Sequence, residues 1–474
     1  MKVRFRQSAA IAILFFPLLT WLIPVTAQEQ TGDIAAVPEQ APPLPVLSDV
    51  ELEIRNHDRK IFLDLVKLAE FNVRFQQTVN HRARWRSIAY PLAQEAGYAG
   101  FFAYSLSDLS QRARGWNSPA RISPTSTKRA LASATVGPLL GASSSLLELG
   151  ANGFESIRTN KRGFSSRQAL AFVQSTVKQV DENLARRHAL MEASELTGTR
   201  RELLDLKEQV LKYERDRLVF EFKRWSAHSR GYTWYQNTFY LINATVNMGR
   251  FSAVQLGFKS FTQPKCSGAT GPILIASAFI AGLGPLASST VGNCMQSYQE
   301  RSLSKKLPVA PFLTDEEAKK KFERLAEVLA TDETTKQNAK LSSELIRLRE
   351  EKLGLDALIL SQENKINRFR RVAGQQAITA PAISSFGVAS ATLSTIAYHA
   401  YRQQKVINNK LGFAGDASII PAEVVALIAT PAASIKGYLY ERDLKRKGEH
   451  PDQLLLRRQR DLESLEKMVS DAWR

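Results

Sequence analysis

The chain has 474 residues and a net charge of +18, from 64 Lys and Arg against 46 Asp and Glu. It is long enough for two or three ordinary domains, and its two cysteines exclude a disulfide scaffold. Such a basic excess favours anionic surfaces, and in a chain that carries an export signal those are lipid headgroups or acidic wall polymers rather than nucleic acid.

The first 27 residues have the pattern of a secretory signal peptide. Three basic side chains precede an apolar stretch over 9–25, and Ala27 supplies the small residue at the cleavage point. An uncleaved anchor helix is the alternative. Residues 28–48 are Pro-rich and predict an extended linker. We therefore expect an exported protein of the cell envelope.

One phrase recurs three times, as ATVGPLLGASS, AGLGPLASSTV and ALIATPAASIK. The separations between its prolines are 147 and 146 residues, and an aromatic–basic cluster recurs upstream of each copy. The positions that this pattern marks for packing are Gly137, Pro138, Gly284, Pro285, Thr430 and Pro431, with the upstream aromatics Trp85, Trp225 and Phe369. Internal similarity that extends on both sides indicates a tandem repeat.

The repeat predicts an all-α fold of three modules, each an apolar helical hairpin between two amphipathic arms. The module bounds are 49–195, 199–331 and 335–474, and the hairpins lie at about 96–150, 231–294 and 373–436. We expect chain reversals at 195–199, with Gly198 as a helix stop, and at 331–335. A capping box at Thr314 and Glu317 precedes the second outgoing arm.

The arm helices carry narrow apolar seams with 3-4 spacing. In 165–192 the seam is Leu170, Val173, Val177, Val180, Leu184 and Met191, and comparable seams run through 201–225 and 335–372. Coiled-coil pairing is one interpretation, and an ordinary core-facing helix of a globular bundle is the other. The first arm, 49–95, and the last, 451–474, have no sequential neighbour on one side. We expect them to pair with each other and close a pseudo-threefold ring.

The apolar hairpins predict membrane-embedded helices. No charge lies between Lys265 and Glu300 or between Arg371 and Arg402, and both windows exceed the roughly 20 residues needed to cross a bilayer. Small residues dominate them, which favours close contact between helices, and their prolines should kink them. Basic hairpin tips favour tips in the cytoplasm and arms outside. A soluble protein with buried hairpins is the alternative.

The sequence contains no recognisable catalytic, metal-binding or cofactor motif, and we expect no cofactor. Glu423 is the one titratable residue of interest, because an acid inside a membrane helix is a functional candidate. Its other interpretation is an interfacial side chain near a hairpin tip that reaches water. Cys266 and Cys294 are expected as free thiols about 40 Å apart, at the two ends of one apolar helix.

These patterns favour a non-enzymatic membrane protein of the cell envelope. It would act as a structural or interaction scaffold, with anionic lipids around its hairpins and protein partners or copies of itself on coiled-coil arms. A membrane pore or transporter built from six small-residue-rich helices is the alternative function. A soluble exported all-α repeat protein is the third.

Overall fold

The computed structural model describes residues 49–79, 84–121, 123–194, 197–309 and 380–472, and four isolated positions between 320 and 327. Every regular element in these ranges is helical, and none of the described residues forms a strand, so the predicted all-α class is confirmed. All of the described helices belong to one unit, Leu47–Arg474.

Nine α-helices follow one another along the described ranges. They are α1 Asp49–Val79, α2 Arg84–Arg114, α3 Pro124–Lys161, α4 Ser166–Ala193, α5 Thr199–Lys259, α6 Ser267–Lys306, α7 Ala380–Ala400, α8 Lys405–Arg446 and α9 Pro451–Ala472. Short 3-10 turns at Pro119–Arg121 and Pro264–Cys266 lie in the first two connections between apolar helices.

Six of these helices form three antiparallel hairpins, α2 with α3, α5 with α6, and α7 with α8. Neighbouring hairpins also contact each other, through α3 and α5, through α6 and α7, and through α8 and α2. Each helix therefore packs against the next in this order, and the six close on themselves. We call this arrangement the helix ring.

Small residues set the spacing inside the helix ring. A methyl group placed on Gly137 of α3 would lie 2.5 Å from the carbonyl oxygen of Gly97 on α2, so the two backbones touch. Gly292 of α6 approaches Gly231 of α5 in the same way. Because a Cβ has no room at these contacts, glycine is required there, as in helix pairs that associate through backbone contact.

Glycines with positive φ separate two apolar helices from the arms that follow. Gly163, with φ of 85°, ends α3, and Gly448, with φ of 70°, ends α8. At both places the next residue, Phe164 or Glu449, donates its backbone N–H to a carbonyl five residues back. This is the Schellman ending of a helix, which stops α3 and α8 so that α4 and α9 can take new directions.

The remaining helices, α1, α4 and α9, pack with residues 199–225 of α5, and we call this set the arm bundle. Its core is made of large side chains. They include Ile61, Leu68, Val73, Val173, Val180, Leu218, Phe222, Leu462 and Leu465. The predicted seam of 165–192 lies in this core, with Val173, Val180 and Met191 at 0% exposure. The predicted contact between the first and last arms is present, since Gln77 of α1 donates to Gln459 of α9 at 3.1 Å.

One helix extends across the predicted division into arm and hairpin. α5 runs for 61 residues as arm and apolar helix together, since no proline interrupts 199–259. The first arm, 49–95, contains α1 and the start of α2, and its residues 80–83 lie outside the described residues. The reversal at 195–199 ends at Gly198, which has φ of 66° and directly precedes α5.

Several predicted features lie outside the described residues. These are the signal peptide of 1–27, the linker of 28–48, the reversal at 331–335, the capping box at Thr314 and Glu317, the seam of 335–372 and its Phe369.

Candidate functional site: the seam between the first and last hairpins

The predicted packing residues of α3 and α6 lie at the contact faces of the helix ring. Gly137 and Pro138 are buried against α2, and Gly284 lies against Ile242 of α5 with Pro285 buried beside it. Both helices continue through their prolines.

The remaining predicted packing residues are spread over α8 and the arm bundle. Pro431 lies inside α8 and is half-buried. Trp225 is buried in the arm bundle at 8% exposure. The side chains of Thr430 and Trp85 lie outside the described part of the structure. The described members of this set therefore do not converge on one place.

Glu423 is a buried side chain of α8. It is 8% exposed, and its Oε1 accepts a hydrogen bond of 2.9 Å from the hydroxyl of Ser105 on α2. Its Oε2 is buried and has no hydrogen-bond partner among the described residues. Glu423 therefore belongs to the contact between α2 and α8, where the first and last hairpins meet. We call this contact the α2–α8 seam.

The α2–α8 seam also holds a buried carboxyl pair around one guanidinium. The Nε of Arg112 lies 2.9 Å from Asp108 Oδ2 and 2.8 Å from Asp416 Oδ2. Because both Oδ2 atoms lie within 2.9 Å of the same nitrogen, the carboxyl groups of Asp108 and Asp416 are neighbours. Both aspartates are buried, at 4% and 8% exposure.

The backbone of α8 is shaped to receive Arg112. A methyl group on Gly412 would lie 1.9 Å from a guanidinium nitrogen of Arg112, so only glycine leaves this space open. One turn earlier, the Asn409 side chain donates to the carbonyl oxygens of Arg112 and Gly115 at 2.9 and 3.0 Å. Because these two bonds hold the end of α2 onto α8, the position of Arg112 is fixed from both sides.

A second polar cluster lies at the other end of the first hairpin. Arg86 of α2 bonds to Glu148 at 2.8 Å, to Glu155 at 2.7 Å and to Asn152 at 2.7 Å, all on α3. Asn152 in turn donates to Asn237 of α5 at 2.9 Å. Because carboxylate and amide groups surround this guanidinium, the cluster holds α2 against α3 and connects α3 to α5.

The arm bundle contains fully buried ion pairs. Arg187 of α4, at 0% exposure, bonds to Asp58 of α1 and to Glu208 of α5. Glu221 of α5 accepts 2.7 Å from Arg458 of α9 and 2.8 Å from Gln76 of α1. These pairs tie three helices together at each point.

The pKa of Glu221 reflects this environment. Burial alone raises the pKa of its carboxyl, but the charges of Arg458 and Arg217 and the bonds from Arg458 and Gln76 outweigh burial. The net pKa lies below the ordinary value, so Glu221 is ionised in the folded arm bundle.

Sequence reasoning identified Glu423 but missed Asp108, Arg112 and Asp416. Asp108 and Arg112 are one turn apart on α2, a spacing that predicts only a surface ion pair. Asp416 is remote in sequence, and its contact depends on the last hairpin returning to the first. The 309 residues from Asp108 to Asp416 contain no local signal for that contact.

The two cysteines are free, as expected. Cys266 is half-buried directly before α6, and Cys294 is exposed within the same continuous helix. Among the described residues no group of His, Cys, Asp and Glu side chains is arranged to hold a metal ion.

No protein-family model, curated protein or solved structure matches this chain.

Proposed function

We propose that this protein is a non-enzymatic membrane scaffold of the cell envelope, with the helix ring in the bilayer and the arm bundle outside it. One observation carries the proposal. In the helix ring many large apolar side chains point outward while Gly, Ala and Ser are buried between the helices, which is the reverse of a water-soluble core.

Each hairpin contributes to this apolar outer face. Leu139 of α3 is 52% exposed, Phe279 of α6 is 62% exposed and Ile428 of α8 is 65% exposed. By contrast, most buried positions of α3 and α6 are small residues such as Ala142 at 3% and Ser288 at 0%. Soluble monomers rarely expose apolar patches larger than a few hundred Å². Lipid tails would cover such a face and so remove the free-energy cost of exposing apolar side chains to water.

Helix length and composition are compatible with a membrane location. Four helical segments are long and apolar enough to cross a bilayer: Pro124–Ala193, Pro264–Lys306, Ala380–Ala400 and Lys405–Ala429. Each hairpin supplies at least one of them. The accompanying helices α2 and α5 carry more polar side chains, and these face the buried contacts described above.

The hairpin tips support a membrane orientation with the tips at an anionic leaflet. The exposed cations at this end are Arg114, Lys128, Arg129, Lys259, Lys265, Arg402 and Lys405. No acidic residue occurs in 109–147, 222–299 or 401–415. Aromatic rings lie beneath some of the tip cations, as with Lys128 over Phe261 at 5.1 Å and Lys410 over Trp116 at 5.3 Å. Aromatic and basic residues are enriched together at membrane interfaces.

Helix contacts support the proposed three-module repeat. Gly137 contacts Gly97 in the first hairpin, and Gly284 contacts Ile242 in the second. The two members of the second contact lie 147 and 145 residues after those of the first, close to the spacing of the prolines. In the arm bundle, Asn72 of α1 bonds to the carbonyl of Leu218 on α5, 146 residues later.

The arms are the proposed binding region. Their described parts pack against each other through seams of apolar residues, and their outer faces are strongly charged. Leu52 of α1 and Leu456 of α9 are half-exposed at 52% and 53%. We assign partner binding or self-association to these outer faces and no catalysis to the chain.

Extraction of membranes with alkaline carbonate tests the proposal. The full chain is expected to stay in the pellet because the helix ring is held by lipid contact. A peripheral marker protein washed off in the same sample serves as the control. Recovery of the chain in the carbonate supernatant would contradict the membrane scaffold.

Closure of six helices into a ring favours a pore or transporter as the second candidate. Against it, the described helix contacts are close, with glycine backbones touching. Solute flux from liposomes that contain the purified chain separates the two candidates. A scaffold leaves the flux at the level of empty liposomes, whereas a pore raises it.

A further inference from the structure

The α2–α8 seam is the one contact between hairpins in the described part of the structure that is built around an ion pair. The contact between α3 and α5 involves Gly141 and Gly257, and the contact between α6 and α7 involves Gly271 and Gly282. At the α2–α8 seam, two aspartates and one arginine are buried instead.

Charges in this group do not balance when both aspartates are ionised. Asp108 and Asp416 would contribute two negative charges, and Arg112 alone lies within ion-pair distance of both. Burying an uncompensated charge in an apolar environment is strongly unfavourable. The seam therefore requires one further positive charge.

Contact between the two carboxyl groups leads to the same requirement. A carboxylate can only accept hydrogen bonds, so two ionised carboxylates in contact repel each other. Asp108 Oδ2 and Asp416 Oδ2 nevertheless both lie within 2.9 Å of Arg112 Nε, and both residues are buried. The single hydrogen on Nε bonds to Asp108, so Asp416 Oδ2 has the charge of Arg112 beside it but accepts no hydrogen bond among the described residues.

We propose that Asp108 and Asp416 share one exchangeable proton at neutral pH, and that this proton holds the α2–α8 seam closed. The proton is covalently held by one carboxyl oxygen and donated to the other aspartate. Paired carboxyl groups in contact take up protons as a unit in this way. Loss of the proton leaves two adjacent carboxylates on one guanidinium and separates α2 from α8.

A proton fits this place better than a metal ion. No group of carboxylates in the described residues has the convergence needed to ligate a cation. Oxygen-ligated cations such as Ca²⁺ take six to eight oxygens, and the seam offers two carboxyl groups.

Other groups facing the pair leave this charge count unchanged. On α2, Tyr104 lies near both aspartates and Glu423. On α8, Glu423 bonds to Ser105 and faces Arg250 of α5, which makes a separate acid and base. From α7, the neighbours of Gly415 include Ser390 and Ser394, which are uncharged.

Proton counting on the purified full chain in detergent tests the inference. Wild type and Asp416→Asn are titrated from neutral to acid and alkaline pH, with infrared absorption of protonated carboxyl groups recorded in parallel. At neutral pH we expect wild type to hold one more carboxyl proton than Asp416→Asn, because Asp108 alone can form a simple ion pair with Arg112. Asp443→Asn is the matched control, since Asp443 is an exposed aspartate on the same helix.

A second variant keeps the test decisive if Asp416→Asn does not fold. Asp108→Asn is expected to lose the same proton, because either asparagine removes the shared site. An infrared signal that is equal in wild type and the folded variant would overturn the inference, and so would a signal lost only in Glu423→Gln.

Seam opening provides an independent readout. Hydrogen exchange of α8 backbone amides, corrected for the intrinsic pH dependence of exchange, should increase at alkaline pH in wild type and stay flat in Asp416→Asn. Equal profiles in both proteins would contradict the proposed role of the proton. These measurements use detergent-solubilised protein, so their outcome does not depend on the carbonate extraction. Failure of the shared-proton inference can therefore be distinguished from failure of the proposed membrane scaffold.

Discussion

The arm bundle and the helix ring differ in which side chains they bury. In the arm bundle, bulky side chains such as Phe222 and Leu462 are 1% exposed and ion pairs are buried among them. In the helix ring, Gly, Ala and Ser are buried while Leu139 and Phe279 are more than half exposed. This difference is compatible with the proposed surroundings, water for the arm bundle and lipid for the helix ring.

The largest effect is expected from breaking a buried ion pair of the arm bundle. Glu221→Leu leaves the guanidinium of Arg458, at 4% exposure, without its carboxylate. Removing one partner of a buried pair costs about 3–5 kcal/mol. Denaturant unfolding, followed by hydrogen exchange in α1 and α9, should show this loss in the arm bundle.

Replacing both partners provides the control for this effect. Glu221→Leu with Arg458→Leu removes the unpaired charge and should recover most of the lost stability. If the double variant is as unstable as the single variant, the loss comes from side-chain shape and not from the buried charge.

The next largest effect is expected when the same change, from leucine to aspartate, is made once in the helix ring and once in the arm bundle. Leu139 of α3 and Leu456 of α9 are 52% and 53% exposed. Leu139→Asp should cost about 2.5–3.5 kcal/mol if the side chain faces lipid. Leu456→Asp faces water and should change stability by no more than about 0.5 kcal/mol. Yield of folded protein in membranes and its thermal unfolding measure both variants.

If Leu139→Asp and Leu456→Asp were tolerated equally well, the proposed difference between the helix ring and the arm bundle would be contradicted. Equal tolerance would mean that the helix ring faces water as the arm bundle does. The soluble exported protein would then replace the membrane scaffold as the better proposal.

A smaller effect is expected from one methyl group in the helix ring. Gly137→Ala puts a Cβ 2.5 Å from the Gly97 carbonyl oxygen, so α2 and α3 must separate. Overpacking of this kind costs about 1–3 kcal/mol. Gly150→Ala on the same helix is the matched control, because nothing lies within 4 Å of its Cβ position. It should stabilise the helix by about 0.5–1 kcal/mol.

Sequence patterns predicted the helices and their arrangement as hairpins, because these depend on local spacing. Val173, Val180 and Met191 form the buried face of α4 that their 3-4 spacing predicts. The continuity of α5 was missed, although the absence of proline from 199–259 was visible. Its composition changes from charged to apolar midway, but composition alone does not end a helix.

The candidate site could be predicted only in part. Glu423 stood out because it is an acid in an apolar segment. Asp416 lies seven residues earlier on the same face of the helix, but its sequence position is at the end of the predicted tip of the third hairpin. Only the return of α8 to α2 brings it to Arg112 and Asp108. Such a contact depends on how the first and last hairpins pack together, which the spacing of hydrophobic residues along the sequence does not encode.

The smallest effect is the acid sensitivity of the arm bundle through Glu221. Its pKa in the folded state is lowered, so the unfolded chain binds more protons at acid pH. The stabilisation is fully present above the unfolded pKa of about 4.3 and is lost as the pH falls through the folded pKa. One group contributes at most about 1.4 kcal/mol for each pH unit. Denaturant midpoints of wild type and Glu221→Gln at falling pH measure this contribution. The midpoint of wild type should fall more steeply than that of Glu221→Gln, which has no carboxylate to protonate. Parallel curves would show that other carboxylates of the arm bundle dominate its acid response.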